Sequence, residues 1–87
     1  MLEFEFLKEW SAGPGEELIG RLLYFRKLNE LYLIIRTTSG EFFLLPKELK
    51  DQISSQDIPD GMRVKIWRNE QGSFAVTRLE TGYINSD

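Results

Sequence analysis

The chain contains no cysteine, which excludes disulfides, thiolate metal centres and cysteine nucleophiles. It contains no histidine either. With histidine go the commonest general base and the commonest transition-metal ligand. No apolar run approaches the roughly 18 residues of a membrane-spanning helix. No basic segment precedes an apolar stretch at the N-terminus, so the sequence predicts a cytoplasmic protein without a membrane partner. Paired acids are present in Glu16 and Glu17, and Asp57 and Asp60 bracket one loop. Loop carboxylates of this kind are normally solvated, so neither metal nor cofactor is expected. "SAGPG" (residues 11–15) has glycines but no following lysine and no strand-to-helix context, so it is not a phosphate loop. No nucleophile, base and acid come together in the sequence, and an enzyme is not expected.

What is present suits one small domain. Eighty-seven residues hold a single modest core and are too few for two. Hydrophobic residues at 41% and charged residues at 29% are the proportions of an ordinary globular protein. The net charge of −3 conceals a segregation. Glu3, Glu5, Glu9, Glu16 and Glu17 face only Lys8 in the first 17 residues. Arg21, Arg26, Lys27 and Arg36, and later Arg63, Lys65, Arg68 and Arg78, fall in strand-like runs. Exposed strand positions tolerate such residues without any function. A basic sheet face is also the electrostatic footprint of a phosphate-binding protein.

Three segments follow from the punctuation: an arm and hinge over residues 1–15, a body over 16–80 and a polar tail over 81–87. In the arm, "LEFEF" alternates Leu2, Phe4 and Phe6 with Glu3 and Glu5, the period of a half-buried strand. Leu2 and Phe6 also stand one helical turn apart. The body opens with "LIGRLLYFRKL" (residues 18–28), in which neither parity gives a clean apolar face. A bulge after Gly20 or near Leu23 would shift the phase. Asn29 and Glu30 make the next turn. "LYLIIRTT" puts Leu31, Leu33 and Ile35 on one face and Tyr32, Ile34 and Arg36 on the other. Ser39 and Gly40 then read as a two-residue hairpin turn. That turn sets Arg36 opposite Phe43 and Ile35 opposite Leu44. Because cross-strand partners share a face, Phe42 and Leu44 are expected inside, and Phe43 and Leu45 outside. "PKELKDQI" is a short helix with Leu49 and Ile53 on one side. "MRVKIW" and "SFAVTRL", joined by "NEQG", are the last two strands. Met62, Val64, Ile66, Phe74 and Val76 read inward, and Arg63, Lys65 and Trp67 outward.

The expected class is therefore all-β, a small five-stranded barrel. A short helix between strands three and four and an extra N-terminal strand-like arm complete it. This is the element order of the OB-fold. An SH3-like barrel, the nearest competitor, carries its helical turn between the last two strands, where here only "NEQG" stands. The residues that carry a closer likeness are Gly20 in the first strand, "LYLIIRTTSGE" leading into the third, the two-turn helix and "DGMRVKIW" opening the fourth. Through these the body, over about residues 20–79, resembles the OB domains of bacterial translation initiation factor one and the related S1 RNA-binding domains. The resemblance is one of pattern. It implies that aromatic and basic residues on the outer face of strands two and three contact RNA, and Tyr32, Arg36 and Phe43 match that face.

Tyr32, Arg36 and Phe43, with Arg26 or Tyr24 nearby, make a stacking platform in which each base stacked on an aromatic ring contributes about 1–3 kcal/mol. Trp67 beside Lys65 and Arg63 is a second candidate. Against this stands the arm, whose Phe4, Phe6 and Trp10 suit an apolar partner surface, in the same chain or another. The leading expectation is a module binding single-stranded RNA or DNA, RNA in the first instance, weakly and with little sequence preference. The alternative is a protein-interaction or oligomerisation module that uses the N-terminal arm and the apolar sheet face.

Overall fold

A computed structural model of the chain describes residues 7–80. Phe4 and Phe6, the strand expected around them and the polar tail lie outside the described residues. Those described form β1 (Lys8–Glu9), β2 (Glu17–Lys27), β3 (Glu30–Thr37), β4 (Phe42–Leu44), α1 (Leu49–Ser55), β5 (Arg63–Arg68) and β6 (Phe74–Arg78). All the strands belong to one sheet in the order β1-β4-β3-β2-β5-β6. Every pairing is antiparallel except that of β1 with β4. The small all-β class is as expected. The sheet is mixed, and it does not close on itself.

The long strand β2 is the spine, because it pairs with β3 along one edge and β5 along the other, and the two pairings overlap at Gly20 and Arg21. A Cβ on Gly20 would lie 2.3 Å from the Arg36 carbonyl oxygen. Glycine is therefore required where β2 turns from one partner to the next. Pairing runs without interruption from Gly20 opposite Thr37 to Lys27 opposite Glu30, so the expected bulge is absent. The doublets Leu22–Leu23 and Tyr24–Phe25 arise because both faces of the sheet carry apolar residues. No shift of phase is needed.

On the inner face Leu22, Leu33, Ile35, Val64, Ile66 and Val76 form the core, closed at the end by Leu45, Leu49, Ile53, Ile58 and Met62. Burying each side chain of this size stabilises by about 1.5–3 kcal/mol. Leu49 and Ile53 stand four apart and reach the core from one face of α1. The neighbouring stripe of the helix does something else. Gln52 and Gln56 donate to the carbonyls of Phe74 and Val76 at 2.8 and 2.7 Å, and Gln52 Oε1 accepts the Val76 amide at 3.1 Å.

The first two hairpin turns differ from the sequence expectation. Leu28 and Asn29, with φ of 53° and 66°, are the central residues between Lys27 and Glu30, one position earlier than expected. Positive φ at both is the signature of a type I′ turn. Between the bonded pair Thr37 and Glu41 that leads from β3 to β4, the loop holds three residues, 38–40. The Thr37 amide donates to Glu41 O at 2.8 Å, Gly40 N donates to Thr37 O at 2.9 Å, and the Thr37 hydroxyl accepts the Glu41 amide at 3.0 Å. That hydroxyl stands in for a main-chain acceptor and lets the chain take a longer path round the turn. The register moves by one, so Arg36 faces Phe42, Ile35 faces Phe43 and Ile34 faces Leu44. A slip of one residue exchanges the faces of a whole strand. Phe43 and Leu45 therefore point to the core, and Phe42 and Leu44 point outward, the reverse of the expectation.

The described part of the arm docks on its own chain. Lys8 pairs with Phe43 and Glu9 with Leu44, and Trp10 N donates to Leu44 O at 2.8 Å. The Trp10 ring then meets Phe74 of β6 at 5.6 Å, tilted by 59°. Beyond it, the Ala12 carbonyl accepts Arg68 Nη1 at 2.8 Å, and Gly15 N donates to Arg68 O at 3.0 Å. The arm thus runs from the β4 edge of the sheet to the β6 end.

Candidate nucleic-acid interface

Strand alternation and the observed registers lay out the outer face in cross-strand rows. One row runs Phe42, Arg36, Arg21 and Arg63 across β4, β3, β2 and β5. Neighbouring strands lie about 4.8 Å apart, and like charges directly opposite one another destabilise a sheet. Only part of this charge is answered. Arg21 Nη1 donates to Gly61 O at 3.0 Å and pairs with Glu80 at 3.5 Å. Among the described residues, the side chains of Arg36 and Arg63 have no hydrogen bond or ion pair. The three guanidinium side chains line a pocket of about 340 Å³ with Gly20, Thr37 and Thr38.

The next row is apolar: Leu44, Ile34 and Leu23. Ile34 is 1% exposed although it lies on the face opposite the core. Beyond it Tyr32 faces Phe25. The Tyr32 hydroxyl donates to Glu30 at 3.2 Å. Desolvation, and then the Glu30 carboxylate, raise its phenol above the ordinary value. On the β5 side of the arginine row Lys65 and Trp67 continue the outer face, and the Lys65 ammonium lies 5.2 Å from the Trp67 ring centre. Lys65 also pairs with Glu17 at 3.6 Å.

Of the residues singled out from sequence, this face gathers Tyr32, Arg36, Lys65 and Trp67. Phe43 is corrected to the inner face, where it packs against the core. Arg26 has inner-face parity at the exposed far end of β2, opposite Leu31. Trp10 packs within its own chain, against the core and Phe74. Two members of the arginine row escaped the sequence reading. Phe42 was hidden by the turn length, for which Thr37 at the base of the loop was the available signal. Arg21 was hidden by the supposed bulge, where Gly20 marks a close approach of the Arg36 carbonyl without any change of phase.

A second groove, of about 420 Å³, lies between the far end of β2 and α1 and includes Tyr24, Lys50, Asp51 and Asp57 in its wall. The Tyr24 hydroxyl donates to the Ile58 carbonyl, and its amide donates to Asp60 at 3.0 Å. Burial, followed by Asp60 and Asp57, raises its phenol. Its tyrosine serves the fold. Among the described residues no three acids stand close enough to hold a metal ion, and no helix is long and apolar enough to cross a membrane. No family model, characterised protein or solved structure matches the chain. Function is therefore argued from the site itself.

Proposed function

We propose that the domain is an OB-type module that binds single-stranded nucleic acid, RNA in the first instance, through the outer face of β2, β3, β4 and β5. The carrying observation is the row of Arg36, Arg21 and Arg63 ending on Phe42. Cations beside a half-buried aromatic ring on the outer face can meet a phosphate and its neighbouring base together. The strand order β4-β3-β2-β5-β6, with the helix between β4 and β5, supports the OB reading. That fold is a partly open five-stranded barrel whose central strands bind oligonucleotides. Stacking on an aromatic ring accepts any base and the arginines are matched to phosphate, so sequence preference is slight. With a net charge of −3 the domain makes few phosphate contacts, and affinity is modest and falls as salt rises.

The test is a titration of mixed-sequence single-stranded RNA and DNA at low salt. Binding that weakens with added salt and with Arg36→Gln is expected; no binding at high micromolar protein overturns the reading. One observation favours a second reading, a protein-interaction module using the arm and the apolar face. Ile34, central in the apolar row, is buried on the outer side of the sheet, which suits a face that packs against polypeptide. A partner that protects Leu23 and Leu44 from solvent, with no oligonucleotide binding, would favour that reading.

A further inference from the structure

We infer that the pocket walled by Arg21, Arg36 and Arg63 receives a terminal phosphomonoester, so that the domain binds a strand by its phosphorylated end. This rests on the nucleic-acid reading and narrows it. An internal phosphodiester carries one negative charge, and a chain of them is best matched by cations strung along a groove. Here the cations share one cross-strand row and one pocket. A phosphomonoester carries a charge of about −1.5 to −2 at pH 7 and three acceptor oxygens. That is the ligand a cluster of guanidinium groups matches best, since each presents forked donors to phosphate oxygens.

The position of the pocket points the same way. On β3 and β4 the row of Arg36 and Phe42 is the last outward-facing one before the turn, and Thr37 and Thr38 wall the pocket there. A strand whose end sits in the pocket has Phe42 beside its first base. It leaves over the outer face of β3 toward Tyr32. The rest of the molecule also discriminates. A domain of net charge −3 repels a long polyanion at a distance, whereas a focused patch of three arginines, in which Glu80 answers only Arg21, keeps a positive charge of two for a compact doubly charged group.

The experiment compares short single-stranded RNAs of one mixed sequence, labelled internally, that end in a 5′-phosphate, a 3′-phosphate or hydroxyls only. Anisotropy at low salt and pH 7.5 is expected to show one phosphorylated strand binding about tenfold tighter than the hydroxyl-ended strand, the scale of charge-assisted hydrogen bonds. The advantage should shrink toward pH 5.5, because the second phosphate ionisation lies near pH 6. Arg36→Gln and Arg63→Gln should each abolish it, and Lys65→Gln, on the binding face but outside the pocket, should weaken all three strands alike and so retain the ratio. Arg36→Lys, which keeps the charge and loses the fork, serves as the second variant and should reduce the advantage. Equal binding of all three strands overturns this inference and leaves the strand-binding reading intact. No binding of any strand overturns both. Displacement of the strand by inorganic phosphate at equal concentration also overturns the inference, because the pocket would then hold a free anion and not a strand end.

Discussion

Gln52 Oε1 accepts the backbone N–H of Val76 at 3.1 Å, in the place where the carbonyl of a neighbouring strand would stand. The same side chain donates to the Phe74 carbonyl at 2.8 Å, and Gln56 donates to the Val76 carbonyl at 2.7 Å. The spacing makes this possible. Four residues of helix advance about 6 Å, close to the two-residue repeat of a strand at about 6.7 Å. Arg78 Nη1 extends the contact by donating to the Gln56 carbonyl at 3.2 Å. The helix thus pairs with an edge strand whose unmet amides and carbonyls would otherwise recruit another chain.

The consequence is testable at Gln52. Gln52→Leu keeps the bulk and leaves the Val76 amide and the Phe74 carbonyl without these partners. Each half-buried group left unmet costs about 1–3 kcal/mol, so the variant should unfold at lower denaturant. It should also self-associate, because the β6 edge is opened. Sedimentation at increasing concentration reads the second effect. A variant as stable and as monomeric as the parent would show that the glutamines do not seal the edge.

The two adjacent phenylalanines should respond to substitution in opposite ways. Phe43 packs against the core, and Phe43→Ala should cost about 3 kcal/mol, the lower end of the range for removing such a ring. Phe42 faces Arg36 on the outer side. Phe42→Ala should leave the fold intact and weaken oligonucleotide binding by about 1–3 kcal/mol. Denaturation and binding measured on both variants separate the two roles. The reverse pattern would mean that the register is that of a two-residue turn.

This pair also shows how far the sequence can be read. The element order, the helix with Leu49 and Ile53 on one face, and the inward set of β5 and β6 followed from period and spacing. These are properties that neighbouring residues settle among themselves. The face of β4 did not follow, because it depends on whether the loop holds two residues or three. The choice was made by the Thr37 hydroxyl, a side-chain bond that hydrophobic period does not register. The phase of β2 was misread for a related reason. Two-faced apolar strands such as "RLLYF" carry no period-2 signal, and the outer apolar row of Leu23, Ile34 and Leu44 becomes visible only when three strands are set side by side. The arginine row is likewise a property of registers: Arg21, Arg36 and Arg63 are 15 and 27 residues apart in the chain and adjacent only in the sheet.

Tyr24 links stability to alkaline pH. Burial raises its phenol, and the carboxylates of Asp60 and Asp57 raise it further. A phenol whose value in the folded state exceeds that in the unfolded chain favours folding while it is protonated. Its contribution is complete below the ordinary value near 10 and is lost as pH rises through the folded value. Tyr24→Phe also removes the hydrogen bond to the Ile58 carbonyl, a loss of about 1 kcal/mol at neutral pH. The melting temperature of the parent should therefore fall above pH 10 more steeply than that of the variant. Parallel curves through that range would show that Tyr24 does not carry the alkaline sensitivity.

The last prediction concerns the arm, where Trp10 joins the two ends of an open sheet. Its amide donates to Leu44 at the β4 edge, and its ring meets Phe74 in β6 at 5.6 Å. Both contacts lie within one chain, and the Arg68 guanidinium fastens the arm again at the Ala12 carbonyl, 2.8 Å away. An aromatic pair of this kind contributes about 0.5–1.5 kcal/mol beyond the area it buries. Trp10→Ala should therefore cost about 3 kcal/mol, the lower end of the range for a large aromatic, since the ring is only half-buried. Deleting residues 1–12 should lower the melting temperature by at least as much as Trp10→Ala and leave the mass in solution unchanged. Conversion of a dimer to a monomer by the deletion would mean that the arm reaches a second chain. An unchanged melting temperature would mean that the gap between β4 and β6 needs no bridge. The binding face makes the distinction matter, because Phe42 and Leu44 sit on the strand to which the arm is paired. An arm held by Trp10 in its own chain keeps that strand in place, and loss of the tryptophan should weaken oligonucleotide binding along with stability.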